Sequence, residues 1–142
     1  MTTETNDTLG ADDPNIEAAL NMSRAVRRLH GCDDMLVEAA AKADSGDPTA
    51  AEELAKAARQ AELARWYTEG AELWIKREKP WKDLGEVRRC IKHVESVARD
   101  ALEAIGKCRS GDAARLAKEA SGVIAETTTH LAFLMDELPV KP

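Results

Sequence analysis

The chain has 142 residues, of which 32% are charged and 44% hydrophobic, with three Trp, one Tyr, one Phe and a formal net charge of −6. This length suits one domain, and abundant Ala, Leu, Glu, Lys and Arg are typical of helical proteins. The acidic balance argues against a protein whose main task is to grip duplex nucleic acid, and three cysteines without paired spacing argue against a disulfide framework.

The N-terminal segment 1–13, MTTETNDTLGADD, is polar and acidic and is predicted to be a disordered tail. It has neither the basic nor the apolar character of a secretory or mitochondrial signal. No apolar run approaches the roughly 18 residues that would span a bilayer. The sequence therefore predicts a cytoplasmic protein with no membrane segment.

The first two helices are predicted at 14–44 and 48–78. Pro14 suits the first turn of a helix, and Asp47 in the break SGDP suits the cap of the next one. The apolar positions of helix 1 alternate in spacing between four and three, which predicts one buried face. These positions are Ala18, Met22, Ala25, Leu29, Cys32, Leu36, Ala39 and Ala43.

Helices 3 and 4 are predicted at 83–108 and 112–138, separated by the turn RSGD and followed by a short tail at 139–142. Helix 3 has the same alternating spacing at Leu84, Val87, Ile91, Val94, Ala98, Ala101, Ile105 and Cys108. Four long helices with short connections predict an all-α, antiparallel up-down-up-down four-helix bundle over 14–138. Recurrence of the tripeptides VRR, SGD and LAK fits either a duplicated hairpin or chance.

Helix 2 differs from the others because it has two apolar stripes on nearly opposite sides. The first consists of Leu54, Ala57, Ala61, Ala64, Thr68, Ala71 and Ile75, and the second of Leu63, Trp66, Gly70 and Leu73. A four-helix bundle buries only one face of each helix. Either the aromatic stripe is core and the alanines face solvent, or the alanines close the bundle and the aromatic stripe is exposed.

Most of the aromatic residues lie in the block WYTEGAELWIKREKPW, residues 66–81. Trp and Tyr carry much of the binding energy at protein interfaces, and a small-molecule pocket beside helix 2 is a further interpretation. We expect a protein partner, or a second copy in a homodimer, to bind this block. The predicted partner-binding residues are Leu63, Trp66, Tyr67, Gly70, Leu73, Trp74 and Trp81.

The stretch EVRRCIKHVE at 86–95 contains a Cys-x-x-His pair, Cys90 and His93. In an antiparallel bundle His130 of helix 4 is expected at a similar height, so a Cys/His metal- or ligand-binding sensor is an alternative function. A structural zinc site needs four ligands, and no HExxH or paired CxxC is present. We therefore expect no metal and no cofactor.

Within the same stretch, RRCIKH contains Arg88 and His93 with four residues between them. This pattern resembles the signature of HEPN-type ribonucleases, small helical bundles with an Arg and a His at such a spacing. The resemblance covers six residues. It implies a dimeric site in which His93 acts on the RNA 2′-hydroxyl while Arg88 steadies the phosphate, and it gives a third candidate function.

Two basic clusters are present, one on helix 1 and one on helix 3. They are expected to be solvated faces paired with the surplus acids, and contact with an acidic partner or RNA is the alternative. Their members are Arg24, Arg27, Arg28 and Arg88, Arg89, Lys92. The sequence as a whole predicts a non-catalytic interaction protein (an adaptor, regulator or inhibitor), and nucleic acid is not expected as a partner.

Overall fold

The computed structural model describes residues 14–75 and 82–137. They form four α-helices, α1 (Pro14–Asp44), α2 (Ala50–Ile75), α3 (Lys82–Gly106) and α4 (Ser110–Glu137). Trp81, the predicted N-terminal tail at 1–13 and the predicted C-terminal tail at 139–142 lie outside the described residues.

Each helix packs against two neighbours, since α1 contacts α2 and α4, and α3 contacts α2 and α4. Helices that follow one another in sequence are therefore neighbours in space, and α1 and α4 close the ring. This confirms the predicted all-α up-down four-helix bundle. Within the described ranges, no helix combines the length and the apolar character needed to cross a membrane.

The core lies along the central axis, where each helix contributes one stripe of buried side chains. All the predicted core positions of α1 are buried, as are those of α3 from Leu84 to Ala101. α4 adds larger side chains to the same core. The largest fully buried side chains of the four helices are Met22, Leu29, Leu36, Leu54, Leu84, Ile91, Ile124, Leu131 and Leu134.

On α2 it is the alanine stripe that faces the core, so the aromatic-core interpretation is wrong. Two threonines lie among the buried positions, and each satisfies its hydroxyl within its own helix. Thr68 Oγ1 donates to the Ala64 carbonyl at 2.9 Å, and Thr127 Oγ1 donates to the Val123 carbonyl at 2.7 Å. The buried members of the α2 stripe are Leu54, Ala57, Ala61, Ala64, Thr68 and Ala71.

The first connection ends α1 with a glycine in the left-handed conformation, Gly46 at φ 76°. The Asp47 amide donates to the Lys42 carbonyl at 2.8 Å and the Gly46 amide to the Ala43 carbonyl at 3.1 Å, which is a Schellman motif. Asp47 then caps α2 as predicted, since its Oδ1 accepts from the Thr49 amide at 2.9 Å. Hydrogen bonds from Thr49 lower the pKa of this carboxyl.

The same motif ends α3, but there the left-handed residue is Cys108, at φ 60°. The Arg109 amide donates to the Ala104 carbonyl at 2.8 Å, and the Cys108 amide to the Ile105 carbonyl at 3.0 Å. Cys108 is exposed. The prediction that Cys108 belongs to the core stripe is wrong, because α3 ends at Gly106. The predicted RSGD turn is also shorter than expected, because α4 already begins at Ser110.

The two hairpins, α1–α2 and α3–α4, have equivalent core registers. Buried positions from Met22 to Ala39 recur 62 residues later from Leu84 to Ala101, and those of α2 recur 63 residues later in α4. The tripeptide LAK, on α2 and α4, recurs at an offset of 62 and so falls at non-equivalent positions. The register defines which residue of one hairpin corresponds to which residue of the other.

We expect Cys108→Gly to raise the free energy of unfolding by about 1 kcal/mol, because glycine adopts a positive φ without the steric cost of a Cβ. Urea denaturation followed by circular dichroism measures this change. Gly46→Ala is the matched control in the other hairpin. A Cβ there meets nothing within 4 Å, so the backbone cost alone should destabilise by about 1 kcal/mol. Unchanged stability of Cys108→Gly would contradict the assigned strain.

Candidate functional site

The face of α2 that points away from the core carries the second apolar stripe. Trp66 is 51% exposed and Leu73 is 67% exposed, while Leu63 and Gly70 are half-buried. We call these four residues the outer stripe. Trp66 and Leu73 lie two helical turns apart on one side of α2, about 10.5 Å along its axis.

Arg59 holds the exposed indole in place. Its guanidinium carbon lies 5.2 Å from the centroid of the Trp66 ring, and the same guanidinium pairs with Glu62. A cation–π contact at an exposed site stabilises by about 0.5–1 kcal/mol. Trp66 is therefore partly ordered on the surface although half of it is open to solvent.

Tyr67 and Trp74 differ from the outer stripe because they are half-buried and pack against the core. They follow Gln60 by one and two heptads, and Gln60 Oε1 accepts a hydrogen bond from Arg28 of α1 at 3.3 Å. Both aromatic rings therefore belong to the α1–α2 seam. The partner-binding role of all seven predicted residues stays a prediction, and Trp81 lies outside the described residues.

Two cross-helix contacts fix the register of α1 beside the outer stripe. A Cβ at Gly70 would lie 3.5 Å from Asn21 Nδ2, and Arg28 bonds to Gln60. Residues 21–28 of α1 thus run antiparallel beside residues 60–70 of α2. This stretch of α1 is the edge from which a molecule bound to the outer stripe would also be contacted.

Arg24 and Arg27 are exposed on this stretch. Arg24 lies three residues after Asn21 and four before Arg28, the two residues that contact α2, so it shares their side of the helix. Neither Arg24 nor Arg27 forms an ion pair with any residue of 14–75 or 82–137. We call Arg24, Arg27 and Arg28 the arginine row.

The basic cluster of α3 is arranged differently, because carboxylates pair with two of its three members. Arg88 Nη1 lies 3.4 Å from Glu72 Oε1 of α2, and Arg89 Nη2 lies 2.6 Å from Glu86 Oε2. The expectation of a solvated face paired with acids is confirmed for Arg88 and Arg89. It is wrong for the exposed pair of the arginine row, as far as the described residues extend.

Arg88 and His93, the pair that resembles a ribonuclease signature, point to different neighbours. Arg88 lies against Glu72 of α2, whereas His93 Nε2 lies 4.0 Å from Glu119 Oε2 of α4. The structure therefore does not bring the two side chains together on one phosphate-sized site.

The proposed metal ligands do not form a cluster either. Cys90 and His130 are half-buried and His93 is exposed. Within the described part of the chain, no group of three or more His, Cys, Asp or Glu side chains could hold a metal ion. Glu86 forms an ion pair with Arg89 instead, and the hydrogen bond from Arg89 lowers the pKa of the Glu86 carboxyl.

An ion pair between α2 and α3 was not expected from the sequence. Glu95 is 5% exposed, and Arg65 Nε donates to its two carboxylate oxygens at 3.2 and 3.0 Å. Arg65 Nη1 also donates to Glu69 at 2.7 Å, and its pKa is raised, chiefly by the bond to Glu95. No sequence pattern signals this pair, since its members lie 30 residues apart on different helices.

The second hairpin shows what the fold requires at the positions of the outer stripe. The equivalents of Leu63, Trp66 and Leu73, 63 residues later, are the exposed polar residues Glu126, Thr129 and Asp136. Only the equivalent of Gly70 is apolar; it is Phe133, which is 60% exposed. The same bundle is therefore built without large apolar side chains at these three positions.

Comparisons with protein-family models, with curated proteins and with solved structures found no match for this chain. The functional argument therefore depends on the surfaces and contacts of the bundle itself.

We expect Leu73→Ser to change the free energy of unfolding by less than about 0.5 kcal/mol, because the side chain is mostly exposed. Leu134→Ser makes the same chemical change at a fully buried position and should destabilise by about 3 kcal/mol. Chemical denaturation of both variants measures the difference. Similar losses in the two variants would contradict the assignment of the outer stripe to the surface.

The thiol of Cys32 is predicted to be inert in the folded protein. Burial, and then the charge of Asp33, raises its pKa from 9.0 to about 12, so the reactive thiolate is scarce at neutral pH. At pH 8 iodoacetamide should modify the exposed Cys108 and reach Cys32 only after unfolding, as read by mass spectrometry. Equal modification rates of Cys32 and Cys108 would contradict this prediction.

The pKa of Cys32 is higher in the folded state than in the unfolded state, so the folded protein favours the protonated thiol. The resulting contribution to the free energy of unfolding is present below pH 9 and is lost as the pH rises towards 12.

Proposed function

We propose that this protein is a non-catalytic interaction module, an adaptor, regulator or inhibitor that binds a protein partner through the outer stripe of α2. One observation carries the proposal. α2 buries alanines while Trp66 is 51% and Leu73 67% exposed. Burying a large apolar side chain stabilises a fold by about 1.5–3 kcal/mol, so this arrangement gives up stability that an interface would recover.

The character of the exposed residues supports the same conclusion. Trp is among the residues most enriched in the energetic centres of protein interfaces. The contact between Arg59 and Trp66 orders the indole before binding, which reduces the conformational entropy lost on association. Leu63 and Leu73 extend the apolar surface along the helix on either side of Trp66.

The second hairpin supports the proposal as an internal comparison. Thr129 and Asp136 hold the places that Trp66 and Leu73 hold in the first hairpin, and the helices on both sides have equivalent buried registers. The apolar character of the outer stripe is thus not a requirement of packing. A role of these apolar side chains in binding explains their presence on the surface more simply than a role in packing.

The experiment is site-specific photo-crosslinking in the cells that naturally produce the protein. p-Benzoylphenylalanine replaces Leu73 in one variant and Asp136, its equivalent, in the other. We expect covalent adducts with another protein from position 73 and not from position 136. Adding Trp66→Ser should lower the adduct yield at position 73 at least about tenfold, because truncating an interface anchor costs about 2 kcal/mol or more.

Mass spectrometry of the adducts identifies what is bound. An adduct of twice the chain's mass would identify a second copy as the occupant, and a heterologous adduct would identify a separate partner. Absence of an adduct at position 73, or equal adducts at positions 73 and 136, would overturn the proposal.

A further inference from the structure

The arginine row belongs to an unusual stretch of α1. Residues 18–32 contain Arg24, Arg27 and Arg28 but no Asp or Glu, although the chain carries a net charge of −6. Acids elsewhere on the bundle outnumber bases, so a stretch of four helical turns without any acid is a local reversal of charge. It lies beside the outer stripe, as the contacts of Asn21 and Arg28 with α2 require.

The positive charge of this stretch is not compensated within the described residues. Arg24 and Arg27 have no ion pair there, and Arg28 Nη1 donates to the neutral amide of Gln60 at 3.3 Å. The comparable cluster on α3 is largely neutralised, since both of its arginines, Arg88 and Arg89, have a carboxylate within 3.4 Å. The two basic clusters therefore have different electrostatic roles.

The acids on the other side of the outer stripe do not cancel this charge. Glu62 is paired with Arg59, and Glu69 is paired with Arg65 at 2.7 Å. A molecule bound along the stripe would meet acids that already have partners on one side and the arginine row on the other. The surface is therefore complementary to an apolar face with acidic residues beside it.

The shape of the surface favours a helix as the occupant. Gly31 of α1 and Gly70 of α2 leave the seam between the two helices low, with Gln60 and Asn21 as their nearest side-chain neighbours. Leu20 is 44% exposed and precedes Asn21, so it lies at the Gly70 end of the seam. All backbone pairing in α1 and α2 is helical, which leaves no strand edge for an added strand.

The spacing along the seam has the same implication. Trp66 and Leu73 are separated by seven residues, or about 10.5 Å, which matches positions i and i+7 of a helix lying alongside. By the antiparallel register of the two helices, Arg24 lies at the height of Trp66 and Arg27 at the height of Leu63. We propose that the partner presents an acidic amphipathic helix, which lies in the α1–α2 seam with apolar side chains on the outer stripe and carboxylates on the arginine row. This inference rests on the proposed function and specifies its partner.

Two synthetic peptides test this chemistry with the full chain. Both are fluorescein-labelled helices with leucine at i, i+3, i+7, i+10 and i+14, and one carries Glu and the other Lys at the flanking positions. Fluorescence anisotropy at low and moderate salt gives their affinities. A 20-nucleotide single-stranded RNA is the third probe, because arginines beside an exposed Trp could also bind nucleic acid.

We expect the Glu peptide to bind the wild type at least about tenfold more tightly than the Lys peptide, with an affinity that falls as salt rises. The double substitution Arg24→Glu with Arg27→Glu should reverse this preference. The matched control is Lys92→Glu with Arg99→Glu on α3, the helix diagonally opposite α1; both residues are exposed, and the variant should keep the wild-type preference. Circular dichroism confirms that each variant is folded.

The remaining outcomes overturn the inference and separate it from the proposed function. Binding of the Glu peptide that is lost in Trp66→Ser with Leu73→Ser but unchanged by the arginine reversals would leave the outer stripe as an interface and remove the acidic partner. Absence of binding by the Glu peptide, equal binding of both peptides, or tighter binding of the RNA would also overturn it. The proposed function itself fails only in the photo-crosslinking experiment.

Discussion

The close packing of alanines on α2 is the constraint from which the other features of the bundle follow. A helix in a four-helix bundle has one face for the core, and on α2 that face is filled mainly by Ala57, Ala61 and Ala64. Small side chains let α1 approach closely enough for the Cys32 thiol to donate to the Ala57 carbonyl at 3.2 Å. Burial of the alanine face sets the orientation of α2, so its large apolar residues lie on the surface or in the seam.

The fold was predictable because two of the helices give a single consistent signal. On α1 and α3 the apolar spacing identifies one face, and the break before Asp47 supplies a cap that the structure confirms. The sequence of α2 did not show which of its two apolar stripes faces the core. Burial of an alanine yields little free energy, and periodicity alone does not rank the two stripes. The end of α3 was missed because a left-handed residue there is Cys108, where glycine is the usual signal.

The candidate chemical sites were less predictable, for a geometric reason. Spacing along one helix gives the angle between two side chains but not the helix that each one faces. Arg88 and His93 are about 140° apart on a regular helix, and the structure shows the consequence, since one lies against α2 and the other near α4. The acid-free run at 18–32 was readable from the sequence, but its position beside the outer stripe needed the register of the α1–α2 pair.

The net charge of the chain and the charge of the seam have opposite signs, and they act over different distances. At physiological ionic strength the field of surface charges is largely screened beyond about 8 Å, so the −6 net charge weakly opposes the approach of an acidic molecule. At contact, Arg24 and Arg27 dominate because they have no ion pair within the described residues. Added salt weakens both the repulsion by the net charge and the attraction by the two arginines. The attraction by the arginines contributes more to the stability of the bound complex. An acidic partner of this surface is therefore selected at close range, by the seam rather than by long-range steering.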